Sequence, residues 1–394
     1  MTAKILFFTF DFPPSVGGIE TRTMNYAKEI VKGGNDLVII HLLNPADRLR
    51  LLGKRTKSRS SFFGATLLRY AYSFQRTPMT LIASVRDSHF RDRQIVHVFT
   101  GANTAVGLLY LVLARLTGKE AGVSVFGKDF LASRPSGHFF VPLLLSLSVA
   151  NHVMVNSLST LGRLPPAFRK KATVLYPGVD PEELGAARLQ TREAASGKVL
   201  FVGRLVKRKG LTDLLSAFEI VSKSNPTVRL VIVGDGPFRS ELEGLVARSP
   251  VRDRVQLKGM LTGKPLYDEY ASCDVFVMPS RTTSVDTEGF GMVFLEAAYF
   301  SRPAVGTRSG GIPEAVVDGE TGLLVDQEDV RDLAAKIETL LSDKALSERL
   351  GRQARDRVLS GFTWEKATDR FLGMYGLGGG DASGRQDQPG RVEK

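Results

Sequence analysis

Val275-Phe276-Val277-Met278 begins the stretch that decides the fold, and Glu288-Gly289-Phe290-Gly291-Met292-Val293-Phe294-Leu295-Glu296 completes it. The first run is apolar and β-branched and predicts a buried strand. The polar residues from Pro279 to Thr287 predict a loop, and the renewed apolar run predicts a helix from about Gly291 to Phe300. Glu288 then stands at the rim of a sheet, just ahead of a helix N-terminus, with Glu296 just over one turn inside that helix. Glycines let a ligand approach bare backbone. The free N–H groups and positive dipole end of a helix start favour an anion. A carboxylate in such a place does not hold the anion; it suits hydroxyls beside it. Phosphate with flanking hydroxyls describes a sugar nucleotide.

Outward from this stretch the chain repeats strand, loop and helix, which predicts parallel α/β architecture. Ile5 to Thr9 reads as the first buried strand, followed by the loop Asp11-Phe12-Pro13-Pro14-Ser15-Val16-Gly17-Gly18 and a helix over 20–32. Further strands are predicted at 37–41, 95–99, 123–126, 153–156 and 173–176, with helices over 104–116 and 138–149. Pro177-Gly178-Val179-Asp180-Pro181 breaks the pattern, and polar residues run on to Gly197. A second α/β run restarts at Val199 and ends in helices at 329–341, 344–359 and 363–375. The length of 394 residues also argues for two domains. The predicted organisation is a domain over 1–178, a linker over 179–197, a domain over 198–362, a C-terminal helix over 363–376 and a disordered tail over 377–394.

Composition is that of a soluble globular protein, 43% apolar and 24% charged. One cysteine, Cys273, excludes an internal disulfide framework and points to a reducing, cytoplasmic compartment. No targeting segment is evident, and no apolar run reaches the roughly 18–20 residues needed to span a bilayer. The net charge of +12 is confined to the first half: residues 1–190 hold 24 basic against 12 acidic groups, and residues 191–394 hold 29 of each. Residues 48–93 alone carry 11 basic and 2 acidic groups, mixed with Leu51, Leu52, Phe62, Phe63, Leu67, Leu68, Tyr70, Tyr72 and Phe74. Such a stretch reads as an anionic membrane-surface patch or as a solvated face; a nucleic-acid partner is not expected.

Gly203-Arg204-Leu205-Val206-Lys207-Arg208-Lys209-Gly210 lies between a predicted strand and a helix. Cations beside a helix start complement phosphate, and Arg204 and Lys209 are the pair placed on a diphosphate. Gly234 ends the strand 228–233 in Gly234-Asp235-Gly236-Pro237. Gly17-Gly18-Ile19-Glu20 and Gly310-Gly311-Ile312-Pro313-Glu314 are further glycine-rich turns after strands. The chain has no Walker A loop, no Asp-x-Asp metal clamp, no Gly-x-Ser-x-Gly elbow and no zinc spacing among its five histidines, so no metal ligand set is expected. His97, at a strand end, reads as a core residue.

Together these strings resemble the signature of glycosyltransferase family 4. The carriers are Pro279-Ser280-Arg281…Glu288-Gly289-Phe290-Gly291-Met292-Val293-Phe294-Leu295-Glu296-Ala297, Gly203-Arg204-Leu205…Lys209-Gly210, Val233-Gly234-Asp235-Gly236-Pro237 and Gly310-Gly311-Ile312-Pro313-Glu314…Gly319-Glu320-Thr321-Gly322-Leu323. The loop from Asp11 to Gly18 and the spacer 282–287 are most similar to the phosphatidylinositol mannosyltransferase-like branch. The resemblance implies the α/β GT-B fold, two Rossmann-like domains facing across a cleft. It implies retaining, metal-independent transfer of a mannose- or glucose-type hexose from a GDP- or UDP-sugar, a co-substrate rather than a cofactor. The expected acceptor, which rests on the basic segment 48–93 and its aromatics, is lipid-linked or a glycan, at the inner face of the plasma membrane.

Carried over residue by residue, Arg204 and Lys209 neutralise the diphosphate. Glu288 holds donor-sugar hydroxyls with backbone from Gly289, Phe290, Gly291 and Met292, and Glu296 accepts from the ribose. Gly203 and Gly234 line the donor side, and Gly17 and Gly18 close over the phosphates from the first domain. Many family members carry a histidine in a His-Gly-x-Asp-like context, where this chain reads Val125-Phe126-Gly127-Lys128-Asp129. Phe126 takes the histidine's place, which leaves Lys128 and Asp129 as acceptor-side candidates. Two alternatives share these residues: a nucleotide-sugar- or lipid-binding protein without turnover, and a nucleotide-sugar epimerase of the same architecture.

Overall fold

The structure, a computed structural model, describes residues 2–13, 17–43, 51–52, 57–71, 77–127, 129, 140–185, 197–284 and 286–377. Lys128, Tyr72, Phe74, most of the expected linker (186–196) and the expected tail beyond Leu377 lie outside the described residues. The chain divides into two compact units.

The first unit takes the chain up to Tyr176 and the segment from Trp364. Its strands are β1 (Lys4–Thr9), β2 (Asp36–Leu43), β3 (Lys57–Phe62), β4 (Ala65–Ala71), β5 (Ile95–Val98), β6 (Glu120–Val125), β7 (His152–Val155) and β8 (Ala172–Val174). They form one sheet in the order β3-β4-β2-β1-β5-β6-β7-β8. All neighbours are parallel except the edge hairpin β3–β4. The central strands are apolar on both faces, as parallel strands must be when helices cover each side. Helix α1 (Gly18–Lys32) lies on one face, and α2 (Thr77–Asp87), α3 (Ala105–Leu116) and α4 (Phe140–Val149) pack on the core of the other.

The segment 44–93, expected to hold a strand or two and basic amphipathic helix, supplies β3, β4 and α2. Among the described residues most of its large apolar side chains are not on the surface: Leu52, Leu67, Leu68 and Tyr70 are buried, and Phe63 and Ile82 are exposed. The C-terminal helix α11 (Trp364–Gly373, numbered after the second unit's helices) returns to this unit and packs on α1. Trp364 and Phe371 meet Tyr26 there. His97 is fully buried in the same aromatic layer, with Nδ1 2.6 Å from Tyr375 Oη and Nε2 2.7 Å from Ser124 Oγ. Burial holds its pKa well below the usual histidine range, and the charges of His152 and Arg22 push it the same way.

The second unit is Pro177–Thr363 among the described residues. Its strands are β9 (Lys198–Val202), β10 (Arg229–Val233), β11 (Val255–Gly259), β12 (Val275–Met278), β13 (Ala304–Thr307) and β14 (Gly322–Val325). They make an all-parallel sheet in the order β11-β10-β9-β12-β13-β14. Its helices are α5 (Leu211–Ser224), α6 (Arg239–Arg248), α7 (Lys264–Ser272), α8 (Met292–Tyr299), α9 (Val330–Ser342) and α10 (Lys344–Gly361). The residues just after the Pro177 break belong here: Asp180 caps a short turn, Pro181–Leu184, and Val179 bridges to Thr363. The strand order reverses between β9 and β12. In doubly wound sheets such a switch point opens a crevice at the carboxyl ends of the strands, where ligands bind.

Candidate active site

The loops after β9 and β12 meet at that switch point. After β9 the chain runs through Gly203 and Arg204 into a tight helical turn, Lys207–Lys209, which ends at Gly210 in the left-handed region (φ 69°). A side chain at Gly210 would meet the carbonyl of Pro279 at 1.9 Å, so only glycine lets the two loops close on each other. The Arg208 carbonyl accepts from the Arg281 amide at 2.6 Å. Arg281 in turn grips Asp213 on α5 through two hydrogen bonds and reaches Glu328 at 2.8 Å. Thr282 Oγ1 lies 2.9 Å from both Thr287 Oγ1 and Ser309 Oγ. The loop between β12 and α8 is therefore tied down at each side. The amide of Gly311, in the second glycine-rich turn, donates to the Glu288 carbonyl at 3.0 Å.

This scaffold brings Glu288 and Lys209 together. Lys209 Nζ is 2.5 Å from Glu288 Oε2 and 3.2 Å from Met278 Sδ. Arg208 shares the same carboxylate, with Nη1 3.0 Å from Glu288 Oε2 and Nε 2.5 Å from Asp286 Oδ2. Burial alone pushes the Glu288 carboxyl upward, but the charges and hydrogen bonds of Lys209 and Arg208 outweigh it and hold it down at about 2. Burial lowers the Arg208 pKa, yet Glu288 and Asp286 more than reverse that, so its net shift is upward. Arg204, on the same loop, is exposed, and its guanidinium makes no hydrogen bond or ion pair among the described residues. Arg204 thus stays exposed and without a partner among the described residues, while two other cations already satisfy the buried, ionised Glu288 carboxylate.

Glu296 sits in α8, which opens at Gly291 (φ 91°), a left-handed residue whose added Cβ would strike the Phe294 ring. Tyr270 Oη on α7 donates to Glu296 Oε2 at 2.6 Å. Burial raises the Glu296 pKa; the Tyr270 hydrogen bond works against that, and the nearby Glu183 charge adds to it. Phe290 is buried and Met292 half-buried at the helix start, while Gly203 and Gly234 lie at the ends of β9 and β10. The amide of Gly203 donates to Val233 O at 3.0 Å, which holds those two strand ends together.

The remaining sequence candidates belong to the first unit. Gly17 and Gly18 stand at the start of α1. Phe126 follows β6 and is 5% exposed; its amide donates to Asp129 Oδ2 at 2.8 Å, and the buried Arg22 guanidinium lies 5.8 Å from its ring centre. Arg208, Asp286 and Tyr270 were not singled out from sequence. Nothing in the triplet Lys207-Arg208-Lys209 marks which cation turns inward; the helical turn that follows β9 decides it. Tyr270 carried no separate signal. Among the described residues no group of three or more His, Cys, Asp or Glu could hold a metal ion.

Residues 190–357, the region that carries this site, match the family model described as glycosyl transferases group 1. The GDP-mannose-dependent alpha-(1-6)-phosphatidylinositol monomannoside mannosyltransferase of Mycolicibacterium smegmatis is 28% identical over 382 residues, 91% of this chain and 95% of that protein. An uncharacterized glycosyltransferase of Methanocaldococcus jannaschii is 32% identical over 259 residues, 64% of this chain and 67% of that protein. Among solved structures, Anabaena HepE in complex with UDP and glucose superposes with a TM-score of 0.71 at 19% identity, covering 95% of this chain and 99% of that one.

Proposed function

The chain belongs to the glycosyl transferases group 1 family, a hexosyltransferase with two Rossmann-like α/β units of GT-B type, and from that premise we propose its donor, acceptor and chemistry. The donor is a GDP- or UDP-hexose, with mannose favoured by the names of the full-length relatives. Transfer is retaining and needs no metal. The acceptor is a lipid-linked alcohol or glycan at an anionic membrane surface on the cytoplasmic side. No helix among the described residues is long and apolar enough to cross a membrane, so the association proposed is peripheral.

One observation carries the site assignment: the convergence of Glu288, Lys209 and Arg208 at the switch point, with Arg204 exposed on the same loop. As the glycosidic bond breaks, negative charge grows on the leaving diphosphate. Arg204 and Lys209 stabilise it, aided by the first amides of α8, and Glu288 accepts hydrogen bonds from the sugar hydroxyls. The leaving phosphate oxygen takes the acceptor proton on the front face. Glu296, oriented by Tyr270, receives the ribose hydroxyls. Gly17 and Gly18 contribute backbone toward the phosphates, and Phe126, Lys128 and Asp129 belong to the acceptor side. The domain assignment of 1–178 for acceptor and 198–362 for donor accompanies this reading.

Calorimetric titration with GDP-mannose and UDP-glucose, coupled to a transfer assay on a phosphatidylinositol mannoside, tests it. Binding of one donor and its loss in Glu296→Gln are expected. Near-normal transfer by both Arg204→Ala and Lys209→Ala would remove the site.

A further inference from the structure

Four of the large apolar side chains exposed on the first unit lie on two neighbouring helices; Phe63, Ile82, Leu158 and Leu377 are the others described. On α3, Leu109 and Leu116 are 41% and 79% exposed; on α4, Val141 and Leu145 are 54% and 47% exposed. Each pair sits at a spacing, seven or four residues, that keeps it on one helical face. The two helices pack against each other through their inner faces, where Leu111, Ala114, Leu143 and Leu147 are buried. No charged residue precedes Arg115 in α3, and α4 has none at all. Monomeric proteins rarely expose a contiguous apolar patch of this kind without using it.

The rim is basic where the two helices end. Arg115 is exposed in the last turn of α3. Lys171 Nζ donates to Ser148 O and Ala150 O at the end of α4, at 3.3 and 2.9 Å. Burial lowers the Lys171 pKa, and the Arg115 charge pushes it the same way. The nearby acid Glu120 is engaged by His152 at 3.1 Å. An apolar face edged by cations matches the boundary between acyl chains and anionic headgroups.

We propose that the outward face of α3 and α4 is where this chain seats on an anionic lipid surface. The inference rests on the membrane-surface reading above and relocates it. The basic segment 48–93 suggested that contact from sequence, but among its described apolar residues Phe63 and Ile82 are the large exposed ones and lie on different elements, whereas Leu109, Leu116, Val141 and Leu145 are exposed on two helices that pack together.

Flotation with vesicles of phosphatidylglycerol and phosphatidylcholine tests the face. The double variant Leu116→Glu with Leu145→Glu is expected to lower the vesicle-bound fraction at least tenfold while melting like the unaltered chain. Arg59→Glu, on the edge strand β3, is expected to change it less than twofold. A Leu116→Trp reporter, in a chain whose single tryptophan is the buried Trp364, is expected to shift its emission to the blue on adding vesicles. Undiminished flotation of the double variant, or an unshifted reporter on bound chain, would overturn the face and leave the membrane reading standing. No flotation of the unaltered chain would overturn both. Loss of a dimer in the double variant with flotation intact would assign the face to a second copy of the chain instead.

Discussion

Lys209 Nζ and Glu288 Oε2 stand 2.5 Å apart with both side chains almost fully buried, whereas Arg204 on the same loop is exposed and has no partner among the described residues. The two phosphate-side cations therefore differ in what their removal does. Lys209→Ala leaves Glu288 with Arg208 alone, and breaking a buried pair from one side costs about 3–5 kcal/mol, here toward the lower end because one partner remains. Arg204→Ala removes nothing the fold uses. Both variants are expected to lose transfer, on the order of 10²–10³-fold, the usual effect of deleting a preorganised charge stabiliser. Thermal melting separates them: a clear fall for Lys209→Ala and less than about 0.5 kcal/mol for Arg204→Ala. Equal melting of the two would contradict the buried pair.

Acid should unfold the two units for different reasons. Glu288 has its carboxyl pKa depressed to about 2, so its contribution to stability is full above the ordinary carboxylate range and is lost as pH falls toward 2. The span corresponds to roughly 3 kcal/mol in the second unit. His97 also has a lowered pKa, but as a base: the folded first unit excludes a proton that the unfolded chain binds, so stability falls once pH drops below about 6.5. Acid titration followed by hydrogen exchange is expected to show the first unit weakening at the higher pH. Glu288→Gln should flatten only the lower window. Loss of both units in one step near pH 3 would rule out the histidine contribution.

The sequence was most legible where local pattern and tertiary burial agree. The strand 275–278, which stops at Pro279, and the helix opening near Gly291 both follow from apolar runs with a clear boundary, and the structure places their ends within a residue or so of those limits. The meeting of Lys209 with Glu288 was readable because parallel strands deliver their following loops to one sheet edge. The inward turn of Arg208 was not, since three consecutive cations look alike until the turn that carries them is known. The apolar residues of the basic segment were hard to place for a related reason. Leu67, Leu68 and Tyr70 lie in a strand next to β2, and charge counting cannot tell a strand's buried face from an exposed patch.

Glu296 should make nucleotide binding depend on pH. Burial raises its carboxyl pKa, so the proton is retained above the ordinary carboxylate range and is lost as pH rises through the shifted value. Only the ionised form accepts from both ribose hydroxyls, so donor affinity is expected to climb across that window and level off. Tyr270→Phe removes the hydrogen bond that opposes the shift, which moves the rise to higher pH and costs about 1–3 kcal/mol of stability for the carboxylate left less satisfied. Calorimetric titration with GDP and UDP at several pH values reads both effects. An affinity that levels off within the ordinary carboxylate range in the unaltered chain would contradict the raised pKa.

Arg208 touches Glu288 and Asp286 at once, and this bridge makes it a positioning residue for the carboxylate that meets the sugar. Its guanidinium spans two acids that a single ammonium cannot satisfy in the same way. Hydrogen bonds to charged groups are worth about 1.5–3 kcal/mol each, so freeing Glu288 from one of its two cations should lower kcat by roughly ten- to a hundredfold. The loss should fall on kcat more than on KM, because Glu288 is asked to hold the sugar as the bond breaks, while Arg204 and Lys209 still grip the diphosphate. Arg208→Lys keeps one positive charge near Glu288 and gives up the Asp286 link, so it should recover part of the loss; Arg208→Ala should recover none. Asp286→Asn, which loosens Arg208 without touching Glu288, should fall in the same direction by a smaller factor. Steady-state kinetics on the three variants checks the order. An Arg208→Ala enzyme with normal kcat and a raised KM would mean that the guanidinium serves the phosphates instead.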